Sequence, residues 1–394
     1  MAVSRRGGFT LVEMLVAITV LLILMAALFT VSAGVTNVWK SSKGKVSAFQ
    51  NARSAFSTLN ATLARATLNT YLDYAKVAGN VYTFRDTSNA AGFVPNKFAR
   101  ASELHFLSGP TTDIAASTNT SSGTAALNLG GQPGTNPGHA VFFQAPLGDT
   151  AKTDYSGLRR SMNSVGFYVQ YGQPDTNLIP SWLGATAGTK NRRFRLVEFV
   201  EATENLQIYP STARASYVLD WLGFAGPAAA GTPPRVRVLA EDVLLLLLRP
   251  RLSPADEPGA ATNVGSAYDP ASQLGSVLCP NYHYDSRAWM ASYPMGQRVN
   301  AAANGSKRAL LMMNQLPPVV DVALVCADPL SLARFDNTTT APPSAVQVPA
   351  GLFQDSAMLE TDLDTYAAQL SAARVRFHIL RAAVNVQAAR WSNN

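Results

Sequence analysis

A run of apolar residues near the start constrains this chain more than any other feature. Between Met14 and Val31 no side chain is charged, and Thr19 and Thr30 are the only polar residues. With Phe9, Leu11 and Val12 added, the run reaches the roughly 20 residues a helix needs to cross the hydrocarbon of a bilayer. Arg5 and Arg6 precede it, a charge bias that keeps the N-terminus cytoplasmic and sends the rest of the chain across. Glu13 breaks the pattern. A carboxylate at mid-bilayer costs about 2.5–3.5 kcal/mol on insertion scales. The cost is smaller near the helix start but still favours a partner. Cleavage between Gly8 and Phe9 would create one, an α-amino group, and would make Glu13 the fifth residue of the mature chain.

Two other readings of this segment compete. Val31-Ser32-Ala33 before Gly34 fits an ordinary signal-peptidase site, and Ser4-Arg5-Arg6 is a faint twin-arginine pattern. An ordinary signal needs an apolar core of only about 7–15 residues and has no use for a glutamate inside it. Gly8-Phe9-Thr10-Leu11-Val12-Glu13 resembles the signature of type IV prepilins, shared by pilins and by type II secretion pseudopilins. The resemblance implies that prepilin peptidase removes residues 1–8 as a leader and methylates the new amine of Phe9. It further implies that Glu13 pairs with the amine of a neighbouring subunit. Its implied partners are other pilin-like subunits, the peptidase and the inner membrane, crossed once, with the remaining chain in the periplasm or in a filament.

Beyond Val31 the helical pattern becomes two-faced. Phe49, Ala52, Phe56, Leu59, Leu63 and Ala66 recur at spacings of three and four, with Asn51, Arg53, Ser57, Asn60 and Arg65 between them. We expect one long helix over residues 9–78, its first part, 9–31, in the membrane and its second part packed on a folded domain. Gly34 and Gly44 are candidate points of bending, since each costs about 1 kcal/mol relative to alanine in a helix. The stripe is under three heptads long, so packing on a sheet is favoured over a coiled coil.

Residues 79–394 read as one folded domain with loop insertions. Short runs rich in β-branched and aromatic residues predict strands at Val81–Arg85, Glu103–Leu107, Ala140–Gln144, Val165–Tyr171, Phe194–Val200 and Tyr217–Leu222. Val243–Leu248 and Val319–Val325 predict central strands buried on both faces, and Arg374–Val386 a final strand. Leu359, Leu363, Tyr366 and Leu370 predict a helix within Asp355–Ala372 with an acidic first turn. Thr111–Pro137, Ala225–Pro234 and Ser253–Gln273 read as loops. The expected fold is α+β, a long N-terminal helix packed on a mainly antiparallel sheet. The order of the C-terminal segments is similar to J-type minor pseudopilins. Leu68–Tyr74, Phe194–Phe199, Leu239–Val243 and Gln315–Val319 resemble most the Verru_Chthon cassette protein C family, a prepilin-like group.

Motifs that carry chemistry are sparse. The net charge is +7, but the basic residues are scattered, with Arg192, Arg193 and Arg195 the densest cluster, so nucleic acid is not an expected partner. His105, His139, His283 and His378 form no paired metal motif, and no P-loop, GxGxxG or GxSxG occurs. Neither an enzyme nor a cofactor is expected. Cys279 and Cys326 form a disulfide if the domain is exported, or remain buried thiols. Asn281–Arg287 is either a polar, aromatic binding surface or a loop whose tyrosines pack inward. Thr361-Asp362-Leu363-Asp364 lacks the glycine and distal glutamate of a calcium loop and reads better as a helix start. The expected role is structural, a minor subunit of a type IV pilus or type II secretion-like filament. The alternative is an exported binding module or adhesin that uses the helix only as an anchor.

Overall fold

The computed structural model describes residues 10–79, 81–85, 89–116, 138–155, 157–172, 192–209, 219–222, 235–258, 278–290, 307–336, 338–339 and 341–392. The chain divides into two compact units, residues 1–47 and 48–394.

Among its described residues the first unit contains the beginning of helix α1 (Leu11–Leu63). The helix passes without interruption through Gly34 and Gly44, so neither glycine melts it. Thr19 and Thr30 donate their hydroxyls to the carbonyls of Val16 and Ala27, which leaves no side-chain donor unmet in the apolar run.

The second unit begins inside α1, where the predicted stripe is the buried face. Ala52, Ala55, Phe56, Leu59 and Leu63 are buried, whereas Asn51, Arg53 and Ser57 are exposed. The helix ends at Leu63, well before residue 78. The Thr67 N–H turns to the carbonyl of Gln144, and Asn69 adopts a left-handed backbone (φ 52°). Tyr71–Ala78, expected in part as helix, is a strand. The β-branched and aromatic character of Thr70, Tyr71 and Val77 outweighs the helical spacing there.

Twelve strands among the described residues form three sheets, and every pairing is antiparallel. β1 (Tyr71–Ala78), β2 (Val81–Phe84) and β3 (Lys97–Ala101) make a small sheet in the order β2-β1-β3. The largest sheet comprises β4 (Leu107–Pro110), β5 (His139–Pro146), β6 (Met162–Gly172), β7 (Arg193–Glu201), β8 (Arg235–Glu241) and β10 (Tyr284–Asp285). Its order is β10-β4-β5-β6-β7-β8. The third sheet is β12-β11-β9, from β9 (Val243–Arg251), β11 (Val319–Ala327) and β12 (Phe377–Asn385).

A single residue, Asp242, turns the chain from β8 into β9 with a φ of 59°. Its N–H bonds to the Phe194 carbonyl and its carbonyl accepts from the Ala327 N–H, so the corner is held from both sheets. The expectation for β9 is half right. Val243–Leu248 is buried on both faces, but β11 is the central strand and β9 lies at the edge of its sheet. The free edge of β9 is closed by the start of β5. The Leu248 N–H donates to His139 Nδ1 at 2.9 Å. Gly138 (φ 82°) approaches so closely that a Cβ there would collide with the Leu246 carbonyl oxygen.

Two other segments differ from expectation. Glu103–Phe106 is not a strand, because side chains take its backbone donors. The His105 N–H bonds to Gln144 Oε1 and the Phe106 N–H to Ser286 Oγ. The described end of Tyr217–Leu222 is a 3₁₀ turn, Asp220–Leu222. Within the predicted loop Thr111–Pro137 the described part is a short helix, α2 (Thr111–Ala116). Residues 117–137 and 225–234, and most of Ser253–Gln273, lie outside the described residues.

Among the described residues three further α-helices follow: α3 (Lys307–Met312), α4 (Pro329–Leu332) and α5 (Leu359–Ala372). In α5, Leu359, Leu363, Tyr366 and Leu370 are buried, as their spacing predicts. The helix begins four residues after Asp355, whose carboxylate caps a preceding 3₁₀ turn by accepting from the Ala357 N–H. The fold is therefore α+β, with one long helix and antiparallel sheets.

Candidate processing and assembly site

The N-terminal helix starts with a reciprocal cap. Thr10 Oγ1 accepts from the Glu13 N–H at 3.3 Å, while Glu13 Oε2 accepts from the Thr10 N–H and hydroxyl, both at 3.1 Å. This is the capping box of the pattern Thr-x-x-Glu, which satisfies two helix-start donors that lack intrahelical partners. The carboxylate also faces the positive end of the helix dipole. Glu13 thus has a local role as well, for which Thr10 three residues upstream is a readable signal. Gly8 and Phe9, the cleavage and methylation positions, lie outside the described residues.

Beyond the cap, Leu11–Thr36 is long and apolar enough to cross a membrane, and none of it is buried within the chain. Leu11, Val12, Leu15, Ile18, Leu22 and Phe29 are all more than half exposed. Burying such side chains is worth about 1.5–3 kcal/mol each. The whole stretch therefore favours a lipid or protein environment over water by tens of kcal/mol, on the order of a domain's entire stability or more.

The second unit holds His105, His139, His283 and Asp285 in its interior, and His105 and Asp285 belong to one hydrogen-bonded chain. Trp221 Nε1–H donates to His105 Nδ1 at 3.0 Å, so His105 carries its proton on Nε2 and gives it to Asp285 at 2.7 Å. The same carboxylate oxygen accepts the Arg287 N–H. His105 and Asp285 are fully buried, and desolvation holds the imidazole below its usual pKa despite the adjacent carboxylate. His139 is depressed to about 4 by the same cause. Tyr282 and Tyr284, also buried, donate their hydroxyls to the Asp355 and Gln315 carbonyls. Asn281–Arg287 is accordingly packed inward and offers no binding surface.

The remaining candidates have local explanations. Cys279 and Cys326 are both buried and free, which is the buried-thiol reading of the two and not the possible disulfide. Cys326 lies within β11 and directs its thiol to the His378 carbonyl, an orientation set by the ladder. Burial raises the Cys326 thiol to about 11 and the Cys279 thiol further, which makes both poor nucleophiles. Asp362 accepts from the Phe353 N–H and Asp364 is exposed on the helix. No group of three or more His, Cys, Asp or Glu able to hold a metal occurs among the described residues. Of the arginine cluster, Arg193 pairs with Glu241 and Asp242, and Arg195 with Glu241.

Comparison with known proteins supports the N-terminal reading. Residues 3–29 match the family model described as the prokaryotic N-terminal methylation motif. No curated protein and no solved structure matches the chain.

Proposed function

We propose that this type IV prepilin-like protein, a substrate of prepilin peptidase, serves as a minor structural subunit of a type IV pilus or type II secretion-like filament. The observation that carries the proposal is the coincidence of the methylation motif at residues 3–29 with a fully exposed apolar helix holding a single carboxylate, Glu13. In this reading the chain crosses the inner membrane once, is cut after Gly8 and methylated at Phe9, and exposes residues 48–394 to the periplasm. The apolar half of α1 then moves from lipid into a bundle of like helices, and Glu13 sets the register by pairing with the amine of Phe9 on a neighbour. An uncompensated carboxylate in such a bundle is strongly penalised. The folded unit, 347 residues long from Ala48 to Asn394, is bulky for a subunit that must repeat along a shaft, which favours a tip or initiating position. Its role is architectural, not catalytic.

A second reading, an anchored binding module, draws on a cleft of about 560 Å³ between β9, β11, β12 and the start of α5. That volume lies in the range of small-molecule sites. Arg249 and Arg251 meet over the Asp321 carboxylate there, each at 2.8 Å.

Two variants separate these readings when crosslinking to partner pilins is measured at equal membrane levels. Glu13→Leu removes both the cap and the charge, whereas Thr10→Val removes only the cap, worth about 1 kcal/mol. The filament reading expects association to fall sharply in Glu13→Leu, in line with the roughly 3–5 kcal/mol of a broken buried pair, and to persist in Thr10→Val. Cleavage is expected in both. Wild-type association of Glu13→Leu would reject the assembly role in favour of the anchor.

A further inference from the structure

The end of β6, the start of β7 and the segment around α4 enclose a cavity of about 230 Å³ that the filament reading does not use. Its lining is mixed, with Phe194, Leu332, Phe335 and Val346 supplying an apolar part and Tyr171, Arg192, Arg193 and Asp242 a polar one. Two donors stand in this lining without acceptors among the described residues. Tyr171 is 2% exposed and its hydroxyl has no hydrogen-bond partner. Arg192 Nε is buried and likewise unpartnered. A buried donor is costly to leave unmet, and native structures rarely do so without a ligand or a water.

The neighbouring charges do not fill this role. Arg193 spans Glu241 at 3.1 Å and Asp242 at 3.6 Å. Asp328 accepts from the Leu330 N–H and the Ser331 hydroxyl, and Asp336 from the Thr338 N–H and hydroxyl. Among the described residues, the carboxylates near the cavity are therefore engaged, and Arg192 Nε is left without an acceptor. The Nε edge of a guanidinium presents two parallel donors and suits a carboxylate bidentately. A phenol donating to the same group would complete its acceptors.

We infer that this cavity binds a carboxylate carrying a small apolar group, held by Arg192 and Tyr171 with the apolar part against Phe194 and Leu332. Its volume is below the usual range for drug-sized ligands, so the fitting groups are a short branched acid or the last residue of a peptide with a free C-terminus. The inference is independent of filament assembly and concerns only the folded unit.

Isothermal titration of the full chain in detergent micelles tests it with three probes: isovalerate, a tripeptide ending in leucine, and the same tripeptide amidated. Saturable binding of either free carboxylate, with a Kd of about 1 mM or tighter and none for the amide, is the expected result. Which free carboxylate binds identifies the source. Arg192→Gln should weaken binding by roughly tenfold or more, and Tyr171→Phe by several-fold, since bonds to charged groups are the stronger ones. Tyr171→Phe keeps the ring and discards only the unpaired hydroxyl, so it separates loss of binding from loss of folding. Equal binding of the amidated peptide, no heat from either free carboxylate, or affinities unchanged in both variants would overturn the inference, the cavity then holding water alone.

Discussion

Replacing Glu201 with glutamine should remove one pH-dependent contribution to the instability of the folded unit. Glu201 ends β7 opposite Ser164 of β6, is 4% exposed, and has one carboxyl oxygen without a partner among the described residues. Desolvation raises its carboxyl to about 8 from an ordinary 4.5, with the Ser164 hydroxyl working the other way. Between those values the unfolded chain ionises while the folded chain keeps its proton. The folded state then binds more protons, and stability falls as pH rises from 4.5 to 8. At about 1.4 kcal/mol per pH unit, the loss between pH 5 and pH 8 is about 3 kcal/mol. Glutamine has nearly the same shape and no titration. Its free energy of unfolding relative to wild type should rise by that amount over the interval, whatever constant cost its amide brings. Asp242, raised to about 6, and His139, depressed to about 4, also titrate in this range, but both are present in both proteins and cancel in the difference. Urea unfolding of the full chain in detergent, followed by tryptophan fluorescence at pH 5, 6.5 and 8, gives the difference directly. A Glu201→Gln difference that stays constant with pH would show that Glu201 is ionised in the folded state and refute the reasoning.

Leu59→Ala should destabilise the folded unit by about 2–5 kcal/mol, because Leu59 is fully buried on the α1 face that packs into the core; the same urea series measures it, and a loss below about 1 kcal/mol would contradict that packing. Native protein should release neither thiol to a solvent-borne disulfide reagent, whereas unfolded, unreduced protein should release two, since Cys279 and Cys326 are both buried and free.

The sequence was most informative where one residue type has one physical meaning. Glu13 inside an apolar run and the three–four spacing from Phe49 to Leu63 each identified their element and face, because few alternatives satisfy them. The run Val243–Leu248 showed burial on both faces but not position in the sheet. Burial on both faces also arises at an edge when another strand's Gly138 and His139 cover it. The end of α1 was misplaced because the bond that stops it, from Thr67 to Gln144, joins residues far apart in sequence. The strand expected at Glu103–Leu107 begins only at Leu107 for a similar reason, its earlier donors being satisfied by the side chains of Gln144 and Ser286. The pairing of Arg193 with Glu241 and Asp242 at the end of β8, which singles out Arg192 beside Tyr171, is likewise a property of the folded chain.

The central claim is that the N-terminal helix is a processed assembly element. Intact and N-terminal peptide mass spectrometry of the protein purified from membranes tests it most directly. The account predicts a mature chain beginning at Phe9, carrying one added methyl on its α-amine and retaining the whole apolar run from Leu11 to Thr36. A mature chain beginning at Gly34, or one still bearing residues 1–8 when prepilin peptidase is present, would contradict it.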